Sequence, residues 1–451
     1  MSRTKDMTVG NPAKLILTFA FPLILTNLGQ QLYMIADASI VGRFIGVKAL
    51  AAVGATDWSY WVILWTITTM TQGFATFVAR YFGEKNYEKM NRAAANAVVL
   101  SGAVAVILTA VGLLLVRPVL TWLNTPMDIF ENAALYLSTL IAGTVAVAGY
   151  NITASILRAL GDGKSPMVAM VIAALLNISL DLIAVLWLGW GVFGTALASV
   201  FSQLIAFLYC LRRIWKTDFV ELNKQTFLPD FFMIKQLLAF GLPLAFQYLI
   251  INISGMILQS TVNLQGSIFV AGYTANNKVY GLLEGSAIAL GFSATTFFSQ
   301  NYGAKQFRRV RAGMGATVCI GIGMALAIGA VMILFGRHLL NFFIDPAEAG
   351  SPDALNISYR YLVTMSLCLI ILYLIYAYRS ILQSLGNSIP SMISGFTECA
   401  ARVFVAKGLY LWLGTQSLYW AEPIAWLGSL VFIMGAYYVL KNRYLPQNTI
   451  E

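Results

Sequence analysis

Asp37 and Asp181 stand where carboxylates are seldom found, inside long apolar runs. Asn27, Gln30, Met34 and Asp37 follow one another at steps of 3, 4 and 3, which puts all four on one helical face. Asn177 and Asp181 form an i,i+4 pair. Thr195 and Ser199 form another, and Gln203 extends that stripe by a turn. Tyr136, Asn151 and Ser155 belong to a further apolar segment. Polar stripes on such helices should face the protein interior. Their chemistry is that of oxygen: carboxylates, amides and hydroxyls are ligands for hard cations. Two carboxylates in a pocket of low dielectric cannot both ionise unpaired, so one holds a proton or a cation lies between them. No Lys or Arg in the segments carrying Asp37 and Asp181 is an obvious partner. The set therefore suits reversible binding of H⁺ or Na⁺.

The second half of the chain carries different acids. Glu284 sits in Gly-Leu-Leu-Glu-Gly-Ser, six residues from Lys278 and on a different face from it. It is expected to line a cavity and attract cationic compounds, or to bind a second proton. Glu398 and Arg402, four apart, read as a neutralised structural ion pair. Met34, Met256 and Phe292 would soften a cavity wall for varied ligands, beside Gln30 and Asn27.

Helices must position these groups. Of 451 residues, 59% are hydrophobic and only 11% charged, against roughly a quarter charged in a soluble chain. The apolar runs reach about 20 residues or more, the length that crosses a bilayer as helix. Twelve spans are expected, at 15–41, 50–77, 95–116, 132–156, 167–188, 191–211, 236–264, 274–298, 314–335, 357–378, 388–411 and 418–440. The fold class is thus all-α integral membrane. Domains are expected at 1–215, a cytoplasmic linker at 216–235, and 236–451, with Asp345-Pro346 and Ser351-Pro352 as turn formers in a longer loop. From Leu15, Asp37 lies 22 residues on (37 − 15), roughly 33 Å of helix, and Asp181 lies 14 from Met167 (181 − 167), roughly 21 Å. Both acids fall in the same half of the membrane.

The net charge of +10 could suggest nucleic acid, but its distribution encodes topology instead. With the N-terminus inside, 21 of the 29 Lys and Arg fall on one side, counting Arg158 and Arg379, and 5 on the other. This is the positive-inside pattern, with both termini cytoplasmic. Cys210, Cys319, Cys368 and Cys399 lack metal-type spacing and read as packing residues. No cleavable signal peptide, nucleotide-binding loop or nucleophile constellation is evident, so no cofactor, nucleotide or enzyme activity is expected.

The chain is also written twice. Pro22 recurs as Pro243, 221 positions on (243 − 22), and Gly83 of Gly-Glu-Lys as Gly303 of Gly-Ala-Lys, 220 on (303 − 83). Leu157-Arg-Ala-Leu-Gly-Asp162 recurs as Leu382-Gln-Ser-Leu-Gly-Asn387. Parallel repeats in a membrane chain point to a transporter with a pseudo-twofold axis along the membrane normal. Asp37 and Asp181 have no acidic counterpart in the second copy.

Gln31-Leu-Tyr-Met-Ile-Ala-Asp37-Ala-Ser-Ile-Val-Gly-Arg43, the turn at 83–85, Leu157–Pro166, and Asn177-Ile-Ser-Leu-Asp181 with Gly191-Val-Phe-Gly-Thr-Ala-Leu-Ala198 together resemble the multidrug and toxic compound extrusion (MATE) family. The resemblance covers nearly the whole chain. It implies twelve helices in two lobes and export of drugs, as organic cations or amphipathic compounds, in exchange for H⁺ or Na⁺. It implies a multi-pass monomer in the cell (inner) membrane. It carries Asp37, Asn177 and Asp181 into the family's N-lobe cation site, where they would ligate Na⁺ in a sodium-coupled member, with Ser199 and Tyr136 beside them. Some members have a second cation site with acids on helices seven and ten. This sequence has Gln247, Asn252 and Gln259 on span seven, and span ten ends in Arg379. A lipid-linked glycan or natural-product flippase of the same superfamily is the alternative. It would need a large cationic cavity, which the scarcity of Lys and Arg within the spans disfavours.

Overall fold

The computed structural model describes residues 4–217, 219–221, 223, 226–344 and 350–446; Asp345-Pro346 lies outside them. Every regular element in it is helical. Among the described residues, nine helices are long and apolar enough to cross a membrane. They are α1 (Pro12–Ile40, continued by a π-helical turn at Val41–Ile45), α2 (Val47–Gly83), α3 (Tyr87–Trp122), α6 (Lys164–Leu182, continued by a π-turn at Ile183–Trp187) and α7 (Gly191–Trp215). In the second half they are α8 (Phe231–Asn263), α9 (Ser267–Gly303), α10 (Phe307–Leu340) and α16 (Ala421–Tyr444). Two bent pairs can each serve as a further span. These are α4 with α5 (Met127–Ala142 and Thr144–Ala159, bent by 43°) and α11 with α12 (Ser351–Leu367 and Leu369–Ser384, bent by 49°).

That makes eleven, where twelve spans are expected. The segment expected at 388–411 is α13 (Ile389–Val403), a π-turn at Phe404–Leu409 and the short α14 (Tyr410–Leu413). The short α15 (Thr415–Leu418) follows it. Glu398, Arg402 and Lys407 make it too polar to rank as a membrane helix on composition alone. Trp122, Trp187 and Trp412, 73%, 85% and 87% exposed, lie at helix ends, as aromatic anchors at a membrane interface do.

The repeat is written into the backbone. Gly46 and Gly266, 220 apart, both take positive φ (117° and 91°) immediately before α2 and α9. Only glycine enters that region without strain. Lys85 and Lys305 close the same two helices at φ 55° and 58°, and Gly161 and Gly386 match at 80° and 83°.

Two compact units result, but they do not divide at the expected linker. One comprises Met1–Met7 and Leu25–Ala245; the other comprises Thr8–Ile24 and Phe246–Glu451. Both changes of unit within a long helix, at 24/25 and 245/246, fall two residues beyond a proline, Pro22 in α1 and Pro243 in α8. Each proline removes a backbone donor from its helix, which lets the helix bend there. The expected linker is itself tied to the first unit. Phe219 stacks on Tyr87 at 4.9 Å, Asn91 Nδ2 donates to the Phe219 carbonyl at 3.2 Å, and Asp230 N donates to Asn96 Oδ1 at 3.1 Å.

Within the first unit, α7 approaches the α4–α5 bend so closely that a Cβ on Gly143 would lie 2.2 Å from Val200. The core there joins Phe74, Val78, Leu157, Met170 and Leu237.

Candidate cation site

The first unit assembles the acids from α1 and α6. Asp37 lies four residues before the π-turn that ends α1, and Asp181 two residues before the π-turn that follows α6. The two π-turns pack on each other and on α7. A π-turn carries one residue more than an α-turn and often marks a functional position. Here it brings two helix ends together just beyond the acids. Asp37 is 7% exposed and Asp181 fully buried.

Their surroundings are short of donors. Tyr136 Oη donates to Asp37 Oδ2 at 3.4 Å. Neither oxygen of Asp181, nor Asp37 Oδ1, receives a hydrogen bond, and both residues are buried. The Asp37 and Asp181 carboxyls lie within reach of each other. Asn177 Nδ2 donates to Ser199 Oγ at 3.2 Å, which leaves Asn177 Oδ1 without a donor as well. Gln203 Oε1 is a fifth such oxygen, and Gln203 is within hydrogen-bonding reach of Tyr33. Two unit negative charges about 4 Å apart repel by about 4 kcal/mol at an effective dielectric of about 20. Buried oxygens without donors cost free energy unless something positive satisfies them. The arrangement is thus an acceptor cluster for a proton or a small hard cation. Among the described residues, no three acids, histidines or cysteines converge as a metal cluster would require. A cation here would be held by two carboxylates with amide and hydroxyl oxygens.

The other expected residues fall in two places. Asn27, Gln30 and Met34 are half-buried along the same face of α1, in the unit that holds Asp37. Thr195 is fully buried on α7, but its hydroxyl donates back to the Val192 carbonyl at 3.1 Å and not to an acid. Glu284, Met256 and Phe292 belong to the second unit and are half-buried. Glu284 Oε1 accepts from Tyr376 Oη at 3.3 Å.

The Glu398–Arg402 pair forms as expected, at 3.1 Å, and is larger than expected. Arg379 meets Glu398 at 2.8 Å, and Arg402 meets Glu422 at 2.6 Å. Arg379 also donates to Ser394 and Ser429, and Arg402 to Ser254. This corrects two sequence expectations. Arg158 and Arg379 are 7% and 6% exposed, so neither is a loop cation, and the biased side carries 19 basic residues (21 − 2). Nor are basic residues scarce inside: Arg158, Arg379 and Arg402 are all buried.

Sequence reasoning passed over Asp57. It lies on α2, half-buried, near enough that its charge acts on both Asp37 and Tyr136. The signal was present: an acid inside a predicted span. It went unused because no polar stripe leads to it; Trp58, Tyr60 and Trp61 crowd the same turn.

Fold and site together define a duplicated, multi-pass membrane transporter. The profile of the MatE family matches residues 22–183 and 243–406, one match per copy, each starting at the repeated proline. The chain belongs to that family. Among curated relatives, the probable multidrug resistance protein YoeA of Bacillus subtilis (strain 168) is 25% identical over 447 residues, 95% of this chain and 94% of that protein. The probable multidrug resistance protein YpnP of the same strain is 27% identical over 357 residues, 79% of each chain. Among solved structures, a MOP superfamily transporter from Pyrococcus furiosus superimposes with a TM-score of 0.90 at 23% identity, covering 98% of this chain and 99% of that one, a likeness of fold.

Proposed function

We propose that this chain is a secondary active multidrug exporter. It moves cationic or amphipathic compounds out of the cell in exchange for H⁺ or Na⁺, from a multi-pass position in the cell (inner) membrane. One observation carries the coupling half of this reading: a buried pair of carboxyls, Asp37 and Asp181, with three oxygens that no donor reaches. Such a pair is unstable as two bare anions and stable with one positive charge. The relatives' printed names, multidrug resistance proteins, support the cargo half.

The cycle follows from linkage. A coupling cation entering between Asp37 and Asp181 changes the packing around the end of α1. Because α1 passes from one unit to the other near Pro22, its shape can link site occupancy to movement of the units. Exchange requires that cation and cargo favour different states. The N-lobe acids thus supply the energy; cargo contacts are assigned to Asn27, Gln30 and Met34 in the first unit and, separately, to Glu284, Met256 and Phe292 in the second.

The experiment is efflux of ethidium from proteoliposomes with proton and sodium gradients imposed separately. Wild-type protein should respond to one gradient or both. Asp181→Asn should stay folded and lose gradient-driven efflux; full transport by that variant would overturn the reading. The flippase alternative needs unpaired cations in its cavity. Here Arg379 and Arg402 are neutralised by Glu398 and Glu422.

A further inference from the structure

The second unit holds two neighbouring carboxylates of its own, and there every oxygen has a donor. Glu398 of α13 is buried and Glu422 of α16 half-buried. Arg402 Nη2 donates to Glu398 Oε1 at 3.1 Å and to Glu422 Oε2 at 2.6 Å. Arg402 Nε donates to Glu422 Oε1 at 3.1 Å, and Arg379 Nη2 to Glu398 Oε2 at 2.8 Å. Arg402 Nη1 turns to α8, where the Ile251 carbonyl accepts at 3.4 Å and the Ser254 hydroxyl also accepts. All five N–H groups of this buried guanidinium thus meet an oxygen. Two carboxylates, a hydroxyl and a carbonyl are also the oxygen types that surround a small hard cation.

The place of Arg402 in the repeat gives this a meaning beyond packing. It lies two residues before the π-turn that follows α13 (404 − 402), as Asp181 lies two before the π-turn that follows α6 (183 − 181). Four residues earlier stand Glu398 and Asn177. The family profile stops at these turns in both copies, at Ile183 and at Ala406. Ser254 lies 11 residues after Pro243 (254 − 243), as Tyr33 lies 11 after Pro22 (33 − 22), one turn before Asp37. So α8 and α13 meet at Arg402 in the second unit as α1 and α6 meet at the acids in the first. In the first, three carboxylate oxygens receive no donor and a positive charge must be supplied. In the second, the chain carries that charge itself. Glu284 of α9 is close enough to feel Glu398, Glu422 and Arg402, and its hydrogen bond is to Tyr376.

Resting on the exchange reading above, we propose that Glu398, Glu422 and Ser254 form a second cation site whose cation is the tethered guanidinium of Arg402. The second unit is therefore always loaded, and the chain exchanges H⁺ or Na⁺ through the first unit alone.

The test uses the full chain in proteoliposomes. The ratio of cations to ethidium is read from the gradient at which net ethidium flux stops, with proton and sodium gradients set separately. Wild-type protein should exchange about one cation per ethidium. Arg402→Ala vacates the second site and should raise the ratio to about two, with a lower melting point in detergent. Millimolar guanidinium chloride should refill that site, returning the ratio to about one and raising the melting point of Arg402→Ala but not of wild type. A wild-type ratio of about two overturns the proposal, whether or not the variant folds. So does an Arg402→Ala ratio equal to that of wild type, which is the result a purely structural arginine gives, or a melting point of that variant that guanidinium leaves unmoved. If wild-type protein shows no gradient-driven efflux, the exchange reading fails first.

Discussion

At the scale of single residues, the two units treat buried charge in opposite ways. In the second unit Arg379, Glu398, Arg402 and Glu422 neutralise one another, two against two. Removing one member strands the rest: Glu398→Gln takes a carboxylate from two arginines at once and should cost about 3–5 kcal/mol. The measurement is thermal unfolding of the purified protein in detergent, and a melting point near wild type would contradict it. Among the described residues of the first unit, no Lys or Arg pairs with Asp37 or Asp181. Tyr136→Phe removes the hydroxyl that donates to Asp37, at 3.4 Å. It should leave the melting point nearly unchanged while shifting the cation concentration for half-maximal efflux. The burial of Asp37, Asn177 and Asp181 was readable from spacing, because a polar stripe inside an apolar helix is costly unless it faces the interior. Asp57 was not, since a lone acid among tryptophans shows no period. The partners of Arg402 were half readable: Glu398 is four residues away, but Glu422 and Arg379 join the cluster only through tertiary packing.

At the scale of elements, the helices were legible from length and hydrophobicity, and their interruptions were not. The bends at Gly143 and Cys368 and the three π-turns leave little trace in composition. Gly143 can be understood only with Val200 beside it, 57 residues away (200 − 143). Gly143→Val would force that contact apart and should destabilise the protein by about 1–3 kcal/mol, measurable as a lower melting point. Gly102, with open space where a Cβ would be, supplies the control: Gly102→Ala should be neutral or slightly stabilising.

At the scale of the whole molecule, the duplication was plain in sequence and the division of the chain was not. A repeat fixes where two copies begin. It does not say which copy each helix packs with. The bias of 19 basic residues against 5 still argues for cytoplasmic termini. A fluorescent protein fused after Glu451 should therefore fluoresce when expressed in a bacterium, and an exported alkaline phosphatase fused there should stay inactive; the reverse pair of results would invert the topology.

Because Thr8–Ile24 packs with the second copy and the α8 segment up to Ala245 with the first, neither compact unit is built from one copy alone. Cutting the chain near residue 223 should give two fragments that fail alone and recover when produced together. The same dependence reaches back in time. A single-copy ancestor with this habit would have lent half of its first helix to a sister molecule and borrowed the equivalent half in return. Gene fusion would then have joined two chains already dependent on each other, which freed one copy to bury the carboxyls of Asp37 and Asp181 while the other closed its buried charges into pairs.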